Sequence, residues 1–311
     1  RSGYFNPEHW ARALRTTGQR AYTLSDAYMS VYDTRDLARP ELLATAPVTT
    51  RQRSLAIAEP YVFTQVGCGI PWSSPDEETS CTLAVLEVVD EPGITRAVEL
   101  AQTPVGQTIR DIATADDYVY VVTRDNGDPL FKERLAVYDV HDPTHPRLAA
   151  VLAVGDGIDP KRTVIRGGLA YVATRTFTDD GAPVATGLTI LDVSDPPDGV
   201  VVGQLEIATG QPESSQWDER NGHLALTGDY ALYSSDEPVV HVVDVSEPTK
   251  PVEVQRLEVP AVVVDLDAAA GYAYVVSEDG GMIVLRATGA PGPANRSRRL
   301  FLPLAVEAPR R

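Results

Sequence analysis

Three residues whose side chains can bind divalent cations occupy equivalent places in the sequence. Asp111, His223 and Asp265 each precede a strand-like segment rich in tyrosine, alanine and valine by the same offset of eight residues. Carboxylate and imidazole groups that converge on one point would suit a calcium ion or a transition metal. The same offset in the first copy reaches Ala13, and in the second and fourth copies, each one residue shorter, the equivalent position falls near Ser54 and Thr163. None of these residues has that chemistry. Because Arg53, Arg110 and Arg162 lie nearby, we expect arginine–carboxylate pairing and predict no metal site.

The sequence contains none of the motifs that usually carry catalysis. HExxH, GxSxG, Walker and dinucleotide-binding patterns are absent. We therefore predict no catalytic residue and no cofactor. Calcium at the Asp111, His223 and Asp265 positions stays open as the alternative.

Two tryptophans lie in segments that are long for connections between strands. Trp72 belongs to residues 67–81, and Trp217 lies beside Asp218 and Glu219 in residues 208–222. An exposed tryptophan offers a large contact area at a small entropic cost, and loops on a rigid scaffold often carry binding residues. We predict a binding surface at Trp72, Trp217, Asp218 and Glu219. The alternative is that each tryptophan fills the space under its own loop.

The chain has two cysteines, Cys68 and Cys81, in the Gly-, Pro- and Ser-rich segment GCGIPWSSPDEETSC. One local disulfide is the simplest interpretation, because no further Cys or His lies close enough for a zinc or redox site. Since cytosolic proteins rarely keep such a bond, the disulfide indicates export. The sequence begins with Arg1 and shows no signal peptide, so the export prediction depends on the cysteines.

The composition argues against two classes of partner. A formal net charge of −17 and a pI near 4.7 oppose binding to nucleic acid, where affinity comes largely from Lys and Arg. No segment approaches the roughly 20 apolar residues that a membrane-spanning helix requires. We therefore predict neither a nucleic-acid partner nor a transmembrane protein.

An internal repeat organises the chain. Five segments share an apolar run followed by an acidic turn, and a sixth is degenerate: YMSVYDTRDLARP (28–40), LAVLEVVDEPG (83–93), LAVYDVHDPTHP (135–146), LTILDVSDPPDG (188–199), VHVVDVSEPTKP (240–251) and MIVLRATGAPGP (282–293). The residues that follow the apolar runs are spaced by 54, 52, 53, 52 and 42 positions. Such a period is typical of the four-stranded blades of a β-propeller.

A second element of the repeat gives the same number of copies. Six strand-like segments precede the acidic turns: RAYTL, PYVFT, DYVYVV, LAYVAT, DYALYS and GYAYVV. Six copies of both elements predict an all-β, six-bladed β-propeller of four-stranded antiparallel blades. We place the blades near residues 8–49, 50–103, 104–156, 157–208, 209–259 and 260–290.

The segments LTILDVSDP and GYAYVVSEDGGMIVL resemble the LVIVD repeat family. That resemblance implies a propeller of the bacterial and archaeal surface or secreted proteins, and it implies nothing about chemistry. Residues 1–290 would form the propeller, and residues 291–311 a Pro/Arg-rich linker and C-terminal tail. The segment RLFLPLAV resembles a C-terminal sequence of Chloroflexota-type exported proteins; the alternative is a closing edge strand of the propeller.

These observations predict an extracellular or cell-surface bacterial domain that is monomeric and non-catalytic. It would act as a binding or scaffold domain for a protein or glycan at the cell envelope. The alternative is a metal-dependent hydrolase or lyase with a divalent ion in the central channel, since propellers host both kinds of function.

Overall fold

The structure is a computed structural model that consists almost entirely of β-strands. It describes residues 13–25, 27–36, 39–48, 54–67, 81–105, 108–124, 133–155, 158–177, 183–209, 222–234, 237–269, 272–277, 282–287 and 301–307. Within these residues no helix is long or apolar enough to cross a membrane. The chain divides into two compact units, residues 1–152 and 153–311, which contain three sheets each.

The first unit contains sheets one to three. Sheet one consists of β1 (Ala13–Thr17), β2 (Arg20–Leu24), β3 (Tyr28–Asp33) and β4 (Glu41–Pro47). Sheet two consists of β5 (Leu55–Ala58), β6 (Tyr61–Val66), β7 (Thr82–Glu91) and β8 (Ile94–Pro104). Sheet three consists of β9 (Thr108–Ala115), β10 (Tyr118–Arg124), β11 (Glu133–Asp139) and β12 (Arg147–Leu152). In each sheet the strands pair antiparallel in sequence order.

The second unit contains sheets four to six with the same strand order. Sheet four consists of β13 (Ile158–Arg166), β14 (Leu169–Phe177), β15 (Pro183–Asp192) and β16 (Val200–Thr209), with a 3-10 turn at Pro196–Asp198. Sheet five consists of β17 (His223–Thr227), β18 (Tyr230–Ser234), β19 (Val239–Asp244) and β20 (Val252–Glu258). Sheet six consists of β21 (Val263–Ala269), β22 (Tyr272–Ser277), β23 (Met282–Ala287) and β24 (Phe301–Glu307).

The hydrophobic core lies between neighbouring sheets of each unit. The second and third strands are continuous apolar runs because both of their faces are covered, as β10 shows with six buried residues in seven. Val62, fully buried, packs towards sheet one, and Phe63, 1% exposed, packs towards sheet three. Full burial of a side chain of this size stabilises the fold by about 1.5–3 kcal/mol.

The acidic residue after the apolar run forms the turn between the third and fourth strands. Asp192 Oδ1 accepts hydrogen bonds from the backbone N and Oγ of Ser194, at 3.0 and 2.5 Å. Asp244 makes the same pair of bonds with Ser246. These aspartates cap the turn backbone, the role that the repeat predicts for them.

A close approach between sheets four and five explains one glycine. A Cβ atom at Gly203, on β16, would lie 2.0 Å from the carbonyl oxygen of Pro248 in the turn that follows β19. Backbone atoms cannot give way as a flexible side chain does. Gly203 is therefore required by contact rather than by its backbone conformation.

The predicted class, a six-bladed β-propeller of four-stranded antiparallel blades, is confirmed. The last sheet extends beyond residue 290, because β24 pairs with β23 as its fourth strand. Residues 301–307 thus belong to a sheet and not only to the tail that we assigned to 291–311. Pro303 fits there because an edge strand tolerates a residue without an N–H.

Candidate functional site

The long connections leave one end of their own sheets. Within each sheet the first-to-second and third-to-fourth turns lie at one end, and the second-to-third connection and the link to the next sheet lie at the other. Residues 67–81 join β6 to β7, and residues 210–222 join β16 to β17. Both therefore leave the second of these ends, which we call the connection end.

The predicted binding residues on these connections lie outside the described residues. They are Trp72, Trp217, Asp218 and Glu219. Cys68, one of the two predicted disulfide partners, also lies outside the described residues. Cys81 is fully buried at the start of β7. Among the described residues no cysteine is free. The pairing of Cys81 with Cys68 stays a prediction.

Two of the three residues predicted near the strand starts do come together. His223 Nδ1, at the start of β17, lies 3.8 Å from Asp265 Oδ1 on β21. The His223 side chain is 6% exposed, whereas that of Asp265 is 69% exposed. Asp265 Oδ1 also accepts a hydrogen bond from the backbone N–H of Leu266 at 3.0 Å. An ionised carboxylate beside a buried imidazole makes an ion pair whenever the histidine is protonated.

Asp111, the third predicted residue, belongs to the other unit. It is 4% exposed on β9 and pairs with Val122 on β10, directly before a register shift in that pair of strands. Within the described residues no group of three or more His, Cys, Asp or Glu side chains could hold a metal ion. The geometry thus brings His223 to Asp265 without completing a cation site there.

The most buried ion pair among the described residues of the first unit joins two side chains that the sequence analysis did not single out. Arg124 ends β10 and Glu133 begins β11, directly opposite each other in the register. Glu133 Oε1 accepts hydrogen bonds from Arg124 Nη2 at 2.8 Å and Nε at 3.1 Å, and Arg110 Nε lies 3.9 Å from the same oxygen. The side chain of Glu133 is only 2% exposed.

Sequence reasoning named Arg110 as a neighbour of the channel aspartates but missed Glu133 as its partner. The signal was available, because an Arg and a Glu stand at the two ends of one strand-to-strand connection. Such a pair fastens the base of the connection, since a buried carboxylate without its partner is costly.

A second buried ionisable side chain lies between the second, third and fourth strands of sheet five. His241 replaces the apolar residue that the repeat predicts, and it is fully buried. Its Nδ1 lies 2.8 Å from Glu253 Oε1, and its ring centroid is 5.9 Å from that of Tyr233. This contact links the third and fourth strands of the sheet and is structural.

The profile of the LVIVD repeat matches residues 106–152, 161–205 and 222–259. These stretches correspond to sheets three, four and five. The chain therefore contains LVIVD repeats, which confirms the resemblance, and it forms the six-bladed propeller that the resemblance implies.

Solved structures with a similar fold share little sequence with this chain. Sqt1 from Saccharomyces cerevisiae has a TM-score of 0.55 at 10% identity, with 89% of this chain and 82% of that chain covered. BamB from Moraxella catarrhalis has a TM-score of 0.53 at 13% identity, covering 94% and 89%. Hsv2p from Kluyveromyces lactis has a TM-score of 0.52 at 10% identity, covering 87% and 72%. At these identities the similarity concerns the fold alone. A search of curated proteins found no significant match.

Proposed function

We propose that this protein is an exported or cell-surface binding domain that recognises a protein or glycan at the bacterial cell envelope. The observation that carries the proposal is that its unusually long connections leave the connection end of sheets whose own cores are fully buried. Sheets packed in this way fix the strand ends from which the loops leave, and loops on rigid scaffolds often carry binding residues. The LVIVD repeats of sheets three to five support the choice, because the family resemblance implies surface or secreted proteins.

The rival function, a metal-dependent hydrolase or lyase, has less support. Its ion would need several carboxylate or imidazole ligands around one point. His223 and Asp265 supply two such groups at 3.8 Å from each other. The described residues provide no third ligand for that pair.

The binding proposal is tested by replacing the two loop tryptophans. Trp72→Ala, Trp217→Ala and the double variant should lose retention of partners from a native envelope fraction. Each exposed hot spot should cost at least about 2 kcal/mol, or roughly 30-fold in affinity. Trp10→Ala is the matched control, because Trp10 lies outside both connections. Unchanged retention by the double variant at matched thermal stability would remove these loops as the binding surface.

Export is tested through the cysteines. We propose that Cys68 and Cys81 form a disulfide, and thiol titration of the denatured, unreduced protein should then find no free thiol. The same titration after reduction should find both. Two titratable thiols before reduction would contradict the disulfide, and with it the main support for export.

A further inference from the structure

Sheet one departs from the repeat at the start of its second strand. The residue opposite the turn acid is Arg20, which pairs with Asp33. The other five sheets carry large uncharged residues at that place, namely Tyr61, Tyr118, Leu169, Tyr230 and Tyr272. Arg20 thus introduces a positive charge where the repeat specifies an aromatic or aliphatic side chain.

The turn of the same sheet carries a second departure. Two residues after the turn acid, sheets four and five have Ser194 and Ser246, whereas sheet one has Arg35. Arg35 donates to Asp33 through its backbone N at 2.8 Å, through Nε at 2.7 Å and through Nη2. A second guanidinium therefore lies next to the carboxylate that faces Arg20.

The third departure comes from sheet two. The third strand ends at the turn acid in sheets one, three, four and five, but β7 continues past Glu87 to Glu91 and turns tightly into β8 at Ile94. The longer hairpin carries Asp90. Its Oδ2 accepts a hydrogen bond from Arg20 Nη2 at 2.5 Å, and its Oδ1 accepts one from Thr95 Oγ1 at 2.8 Å. The hairpin brings sheet two into contact with Arg20 of sheet one.

All three departures line one cavity of about 320 Å³, which lies at the ends of the sheets opposite the connection end. Its lining residues are Gln19, Arg20, Asp33, Arg35, Leu43, Asp90 and Thr95. The volume falls at the lower end of the range for small-molecule sites. A cavity formed where three changes from a repeat meet is better explained by a ligand than by the packing that the other sheets share.

The charges of the lining side chains select the kind of ligand. Two guanidinium and two carboxylate groups cancel, so the cavity offers no net attraction to an ion, and the net charge of −17 disfavours a small anion. The arginines hold the pKa values of Asp33 and Asp90 below the usual range, so both carboxylates remain ionised acceptors.

The hydrogen-bonding capacity of the cavity points to a ligand rich in oxygen. Each arginine has five N–H donors, and the described contacts of Arg20 and Arg35 leave some of these for a ligand. The planar guanidinium suits pairs of adjacent oxygen atoms. Leu43 adds an apolar patch for the C–H groups of a ring. We propose that this cavity binds a neutral polyhydroxyl ligand, of the size of one sugar ring.

The proposal is tested by titration calorimetry on the intact protein. The probes are the methyl glycosides of glucose, galactose, mannose and N-acetylglucosamine, with inorganic phosphate and acetate in parallel. We expect at least one glycoside to bind saturably and neither anion to bind. Failure of all four glycosides, or binding of an anion instead, would overturn the proposal.

Two variants locate the binding. Arg20→Tyr installs the residue found in four other sheets and should weaken glycoside binding about tenfold or more, since charged hydrogen bonds are lost. Thr95→Val removes the hydroxyl that holds Asp90 and should also weaken it. Arg96→Gln is the control, because Arg96 pairs with Glu91 on the same hairpin outside the cavity lining. Binding by both cavity variants as in the wild type would refute the site.

This inference stands apart from the proposed function. The cavity lies at the ends opposite the connection end, so the Trp72→Ala, Trp217→Ala double variant should bind the glycoside normally. Unchanged retention of envelope partners by the double variant would refute the proposed binding loops and leave the cavity untouched. Failure of every glycoside to bind the unmutated protein would refute the cavity and leave the loops untouched.

Discussion

Removal of Arg124 provides the sharpest test of how the interior charges act. The structure places the Glu133 side chain at 2% exposure with Arg124 at 10%, and two hydrogen bonds join them at 2.8 and 3.1 Å. Arg124→Met keeps the length of the side chain but leaves the carboxylate with Arg110, at 3.9 Å, as its described cationic neighbour. Loss of one partner of a buried pair costs about 3–5 kcal/mol, and the remaining arginine favours the lower end, about 3 kcal/mol.

The double variant Arg124→Met, Glu133→Leu completes a double-mutant cycle. Because the second change removes the stranded carboxylate, the double variant should be more stable than the sum of the single effects predicts, with a coupling of about 0.5–3 kcal/mol. The free energy of unfolding is measured by urea denaturation, and similar m-values verify that the same transition is compared. A cost below about 1 kcal/mol for Arg124→Met, or strict additivity, would refute the view that this pair fastens the connection.

Three other predictions concern the turns, the sheet contacts and metal binding. Gly203→Ala should destabilise by about 1–3 kcal/mol in urea denaturation, because its Cβ meets the Pro248 carbonyl; a neutral effect would contradict the contact. Hydrogen bonds from the Thr144 side chain, from His145 and from the Thr144 backbone lower the pKa of Asp142 to about 2. The stabilisation is therefore present above the unfolded pKa near 3.9 and is lost as the pH falls towards 2. In Asp142→Asn the free energy of unfolding should therefore fall less across that pH interval than in the wild type. An unchanged pH profile of the variant would contradict the role of Asp142. EDTA should leave the thermal unfolding midpoint unchanged, since the described residues contain no metal cluster, and a fall would favour the calcium alternative.

The fold could be predicted from the sequence because the repeat carries its own evidence. Five of the six copies repeat an apolar run, an acidic residue and a turn, and each of the turn aspartates Asp139, Asp192 and Asp244 ends a third strand. Strand registers follow from that pattern, since a shift of one residue would expose the buried face. The C-terminal strand was harder to predict, because a linker-like segment separates β24 from the strand with which it pairs.

The chemistry could not be predicted with the same success, because it depends on contacts between copies. Asp265 and His223 were found by their common offset, and that offset does bring them within 3.8 Å. The offset says nothing about how exposed each group is or how many ligands surround it. Glu133 was missed because a buried charge has no periodic signature when only one copy carries it.

Differences between copies are therefore more informative about function than the repeat itself. A residue that recurs in four of the six sheets, such as the turn aspartate, is explained by the turn that it caps. Arg20, Arg35 and the long hairpin of β7 and β8 each occur once, and the structure brings all three to the same cavity. If these three differences from the repeat had no effect on function, we would expect them at unrelated places in the six sheets. Their coincidence at one cavity of the first unit is what the proposed ligand site would produce.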